Sequence, residues 1–60
     1  MQEPELVILY ESHSKRYAIA VQQGADRIVI RHELHHQDAI QIANGIRSWT
    51  RLTIRDRTPI

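Results

Sequence analysis

The apolar positions fall into three short unbroken runs, then a stripe at helical spacing, then an alternation. Leu6-Val7-Ile8-Leu9-Tyr10 follows Glu5, Tyr17-Ala18-Ile19-Ala20-Val21 follows Arg16, and Ile28-Val29-Ile30 lies between Arg27 and Arg31. Runs of this length, rich in β-branched side chains, suit strands, because stiff χ1 rotamers pack well on a pleated surface. The segments between them, Glu11-Ser12-His13-Ser14-Lys15 and Gln22-Gln23-Gly24-Ala25-Asp26, have the length of hairpin loops, and Gly24 is free to take positive φ. Two hairpins in succession predict a three-stranded antiparallel meander.

Beyond the meander, Ala39, Ile42, Ala43, Ile46 and Trp49 recur at steps of three and four. That spacing predicts one helix over residues 36–48, with Asp38 in a first turn that favours a carboxylate. Asn44-Gly45 falls inside it. A glycine there costs about 1 kcal/mol relative to alanine if the helix continues; otherwise the helix ends at Asn44 with Gly45 as its left-handed cap. From Trp49 onward Thr50, Leu52 and Ile54 alternate with Trp49, Arg51, Thr53 and Arg55, which predicts a short fourth strand near the C-terminus. The expected fold is α+β, two-layered, in the order β-β-β-α-β. It is one small domain spanning 1–60, frayed over 1–4 and 57–60.

Alternation along the strands sets Leu6, Ile8 and Tyr10 against Val7 and Leu9, sets Tyr17, Ile19 and Val21 against Ala18 and Ala20, and sets Ile28 and Ile30 against Val29. One helix covers one face of a sheet. Val7, Leu9, Ala18, Ala20 and Val29 are then expected to form an apolar patch on the other face, and patches of several hundred Å² mark interfaces. A chain of 60 residues buries only about 60% of its unfolded surface. The absence of cysteine removes disulfides and thiolate zinc sites as staples. Self-association as a homodimer is the expected remedy, with an unidentified protein partner as the other use of such a surface.

The β-β-β-α order over residues 6–48 resembles the arm-binding module of tyrosine recombinases, in element order and without a motif. That resemblance implies DNA binding by a basic, polar sheet face. This chain departs from it, because the spare face here is apolar. Charge offers a separate route to nucleic acid. The net charge is only +1 and the pI about 8.3, yet Arg47, Arg51, Arg55 and Arg57 crowd the last third beside Trp49, while Glu3, Glu5 and Glu11 mark the start. Arginine with an exposed tryptophan can pair phosphates and stack bases, so nucleic acid is the second candidate partner. The whole-domain charge falls short of the usual footprint, and the same arginines serve equally as solvated groups or partners of the N-terminal glutamates.

One segment carries a metal-site spacing. His32-Glu33-Leu34-His35-His36 contains H-E-x-x-H, in which a helix offers two imidazoles to zinc and a glutamate to its water. Four residues apart on a helix, His32 and His36 would be neighbours; on a strand they would stand about 13 Å apart, too far for one ion. The β-branched run before the motif favours a strand. The helical stripe traced backwards meets Asp38, His35 and Arg31, so its apolar phase breaks at the histidines. They are expected at a strand-to-helix junction, where His32, His35 and His36 would at most form a loose metal site. Ser12, Ser14 and Ser48 lack any nucleophile setting, and neither glycine belongs to a phosphate-binding loop. No apolar run approaches the roughly 18 residues of a membrane span and the N-terminus is acidic, so a soluble cytoplasmic protein is expected. The sequence therefore leads to a non-catalytic interaction or regulatory module that needs no cofactor, with a zinc-dependent hydrolase as the distant alternative.

Overall fold

The computed structural model describes residues 3–58. Among them the chain runs β1 (Glu5–Glu11), β2 (Arg16–Gln23), β3 (Asp26–Glu33), α1 (His36–Thr50) and β4 (Ile54–Asp56), an α+β fold in the expected order. The sheet order is β3-β2-β1-β4; the first three strands are antiparallel neighbours and β4 lies parallel to β1.

Local chemistry sets both hairpins. Glu11 pairs with Arg16 across residues 12–15, with Lys15 at φ 57° and its amide donating to the Glu11 carbonyl at 2.8 Å. Gln23 pairs with Asp26 around only two residues, and Gly24 at φ 60° takes the first of them, the place where a II′ turn calls for glycine. Both strands of that hairpin are therefore longer than their apolar runs.

The core lies between the sheet and α1. Leu6, Ile8 and Ile19 are fully buried against Ala39 and Ala43, with Tyr17, Val21, Ile40, Ile42, Ile46, Leu52 and Ile54 packed around them. Small alanines at the centre of the helix stripe let its backbone approach the sheet, and each large aliphatic side chain so buried stabilises the fold by about 2 kcal/mol. This packing also decides where the helix stops. Ile46 packs against the core, and the half-buried Thr50 hydroxyl donates to the Ile46 carbonyl and accepts from the Leu52 amide, so an end at Asn44 would forfeit these contacts. The helix accordingly runs through Gly45 to Thr50. Arg51, at φ 63°, takes the left-handed cap position, its amide donating to the Arg47 carbonyl at 2.8 Å.

Two expectations need correction. The strand periodicity read from Trp49 does not begin there: Trp49 and Thr50 are helical, and β4 starts at Ile54, where the Leu6 amide meets the Thr53 carbonyl and the Arg57 amide meets the Ile8 carbonyl, both at 2.8 Å. Of the ends expected to fray, Arg57 and Thr58 donate their amides to the Ile8 carbonyl and Asp56 Oδ1, and residues 1, 2, 59 and 60 lie outside the described residues. Second, Ile28 and Ile30 do not share a face. Ile19 registers with Arg31 and Ala20 with Val29, which leaves Ile30 over as a β-bulge. Beyond it the phase of β3 inverts, so Arg31 and Glu33 join Ile28 on the helix side and His32 joins Val29 on the open side.

Candidate functional site

The bulge decides the fate of the H-E-x-x-H spacing. His32 belongs to β3 and points to the open face, where its Nε2 lies 3.0 Å from Glu11 Oε1; His36 opens α1 on the helix side, its Nε2 2.7 Å from Asp56 Oδ2. The two imidazoles stand on opposite sides of the sheet. His35 between them is the extended residue before the helix and makes no capping bond, and Glu33 pairs with Arg31. Among the described residues no three His, Asp or Glu side chains gather as metal ligands would.

The most closely bonded polar group is the cluster that closes α1 onto β4. The Thr58 hydroxyl donates to Asp56 Oδ1 at 2.6 Å and the Thr58 amide donates to the same oxygen at 3.0 Å, while Thr58 Oγ1 lies 3.2 Å from His36 Nε2. The carboxylate can only accept and the threonine proton is committed to it, so this network assigns a hydrogen to Nε2. A hydroxyl nucleophile requires the reverse: a bare imidazole nitrogen facing it and a carboxylate on the other nitrogen. Here both contacts converge on one nitrogen, which makes a clasp. Tyr17 stacks on the His36 ring at 5.2 Å between centroids, and Tyr10 follows at 5.1 Å. Partial burial works to raise the Asp56 pKa, but the hydrogen bonds from Thr58 and His36, with the His36 charge, outweigh it and hold the carboxyl below its ordinary 3.8.

No protein-family model matches the chain, and no curated protein or solved structure matches it at a significant level. Its surfaces have to speak for themselves.

Val7, Leu9, Ala18, Ala20 and Val29 do share the face opposite α1, yet Val7, Ala18 and Ala20 have no accessible surface and Leu9 is half-buried. Polar bridges lie across them. Arg55 stands opposite Val7 and reaches Glu5 at 3.2 Å, His32 stands opposite Ala18 and reaches Glu11, and Arg27 donates twice to Gln22 at 3.2 and 3.1 Å. Long side chains that keep their polar ends in water cover small apolar neighbours with their stems. Of that face only Val29 (41%) stands well exposed; the other large exposed apolar side chains among the described residues are Ile28 (68%) and Ile30 (46%) on β3, Leu34 just after it, Tyr10 on β1 and Trp49 (76%) near the end of α1. Sequence reasoning missed Ile28 and Ile30 because their exposure comes from the place of β3 at the sheet edge, and missed Leu34, which lies in the connection from β3 to α1.

The arginine group does not form one surface. Arg47, Trp49 and Arg51 sit at the C-terminal end of α1, whereas Arg55 lies on the open sheet face bonded to Glu5, and Arg57 follows β4. Sequence also gave no sign of a shallow hollow of about 420 Å³ lined by Glu11, His13, Ser14, Arg16 and His32. Its members come from the ends of β1 and β2, the turn between them and β3. Ser14 and His32 each bond the Glu11 carboxylate instead of one another, so no nucleophile and base are paired there.

Proposed function

We propose that this chain is a small non-catalytic interaction module that works through its sheet, with a second copy of itself as first partner. The carrying observation is the gathering of Ile28, Val29 and Ile30 on an exposed edge strand, with Trp49 as the most exposed large apolar side chain. One helix over a four-stranded sheet leaves that edge bare, and a domain of this size gains from covering it. A cytoplasmic setting and no requirement for a cofactor belong to the same proposal. No helix among the described residues is long and apolar enough to cross a membrane. Sedimentation equilibrium from about 1 to 100 µM should show an average mass rising from one chain toward two, by mass action. A single-chain mass across that range overturns the reading.

A second reading has one observation in its favour: Trp49 stands exposed among Arg47 and Arg51, neither of which has a side-chain ion pair among the described residues. Stacking of a single-stranded oligonucleotide base there should quench Trp49 fluorescence at low salt and lose effect as salt rises. The negative end of the helix dipole gives these arginines a simpler task, which is why this reading stands second.

A further inference from the structure

We infer that the second copy docks on β3 edge to edge, antiparallel about a two-fold axis normal to the sheet, making one continuous eight-stranded sheet; this rests on the self-association proposed above. β3 is eight residues long, exposed at every position before Glu33, and lies at the edge of the sheet, whereas the other edge, β4, has three residues. A long outer edge presents a row of backbone donors and acceptors ready for another strand.

The bulge selects what that strand can be. Along a regular strand, residues equidistant from a midpoint between two neighbours lie on opposite faces, so pairing with itself about such a midpoint fails. In β3 the leftover Ile30 inverts the phase halfway along, placing Asp26, Ile28, Arg31 and Glu33 on the helix side and Arg27, Val29 and His32 on the open side. A two-fold axis between Val29 and Ile30 then sets Ile28 opposite Arg31, Arg27 opposite His32 and Asp26 opposite Glu33, like face to like face. Val29 meets Ile30, so no residue is left over as one is against the regular β2. Arg31, already paired with its own Glu33, stands diagonal to Asp26 of the other copy and offsets the meeting of the two acids. A partner with a regular edge strand would have to repeat the mismatch.

The helices support the same geometry. α1 packs on Leu6 and Ile8 of β1 and Ile19 of β2, so its axis lies over the junction of those strands. At about 4.8 Å per strand, two such helices would run about 19 Å apart, and helices about 10 Å across leave a channel about 9 Å wide. Ile28 of both copies floors it. With about 100° per residue, His36 turns toward Asp56 of β4, which sets Ile42 and Trp49 on the flank facing β3. Trp49 is the side chain large enough to fill the channel, and its exposure in the single chain is what such a role leaves behind.

The test uses the absence of native cysteine. In a variant carrying Ile28→Cys and Arg31→Cys, the thiols of two copies face each other across the axis. At tens of micromolar protein, mild oxidation should link them about a hundredfold faster than free thiols at that concentration, because an interface holds its groups at an effective millimolar concentration. Leu9→Cys reports face-to-face docking and should link no faster than free thiols. In the unaltered chain the Trp49 emission should shift to the blue as concentration carries the mass toward two chains, which keeps the test independent of whether the cysteine variant folds. A dimer that links through Leu9→Cys, with Trp49 emission unchanged, overturns the edge geometry and leaves self-association standing. A chain that stays single at every concentration overturns both.

Discussion

The two edges of the sheet solve opposite problems. β4 is three residues long and fastened along its inner side: backbone bonds to β1 flank it, Arg55 ties it to Glu5, and the His36, Asp56 and Thr58 cluster holds it to the start of α1. β3 is eight residues long, bulged at its middle, and bare. The same helix bears on both, since its His36 bonds Asp56 of β4 while Ile28, Val29 and Ile30 of β3 stay exposed beside it. An edge that is short and clasped needs no partner; an edge that is long and carries isoleucine toward solvent has been left available.

The sharpest way to break this contrast is a matched pair of truncations. Ile54→Ala removes a half-buried side chain packed on the core and should cost about 2 to 3 kcal/mol in urea unfolding, whereas Ile28→Ala, at concentrations low enough to keep the chain single, should change stability by less than about 0.5 kcal/mol. Equal losses would mean that β3 is as integral to the single chain as β4. Next comes the turn that presents β3. Gly24→Ala forces a methyl onto φ 60° and should cost about 1 to 2 kcal/mol, with amide exchange quickening in β3 more than in β4. Gly45→Ala goes the other way. Its added methyl meets nothing within 4 Å in the middle of α1, so a gain of about 1 kcal/mol in thermal or urea unfolding is expected. The smallest effect belongs to the clasp. Both side chains of the His36 and Asp56 pair are more than a third exposed, so Asp56→Asn should cost less than about 1 kcal/mol near neutral pH. Because folding lowers the Asp56 pKa, its contribution is present above the ordinary value of 3.8 and is lost as pH falls through the lower folded value. Unfolding followed from about pH 5 downward should therefore show a smaller acid loss in Asp56→Asn than in the unaltered chain; identical profiles would remove the clasp from the account.

Local signals made the three strands and the helix legible. β-branched runs and a three-and-four stripe report on the residues that carry them, which is why the element order was readable. What escaped reading depends on pairing across the chain. Nothing in Arg27-Ile28-Val29-Ile30-Arg31 announces a bulge, since Ile30 becomes surplus only when the strand is laid against Ile19 and Ala20. The passage of α1 through Gly45 follows from what Ile46 and Thr50 touch, and helix propensity alone argued for an earlier end. The five positions expected on the spare face do share it by register, but the occlusion of Val7, Ala18 and Ala20 depends on Arg55, His32 and Arg27 folding across toward Glu5, Glu11 and Gln22. The His36, Asp56 and Thr58 cluster joins positions about twenty apart, beyond any motif scan.

The parallel pairing of β4 with β1 also sets an order of events in time. Leu6 and Ile54 are neighbours in the sheet although nearly the whole chain separates them, whereas the two hairpins close over loops of a few residues. Hairpins form in microseconds, while a contact between distant positions must first overcome the entropy of closing a long loop. The meander and α1 are thus expected to assemble first and to offer β1 as a template, with β4 arriving as the last strand. On that order Ile54→Ala should leave the refolding rate almost unchanged and put most of its cost into faster unfolding, the signature of a contact made after the rate-limiting barrier.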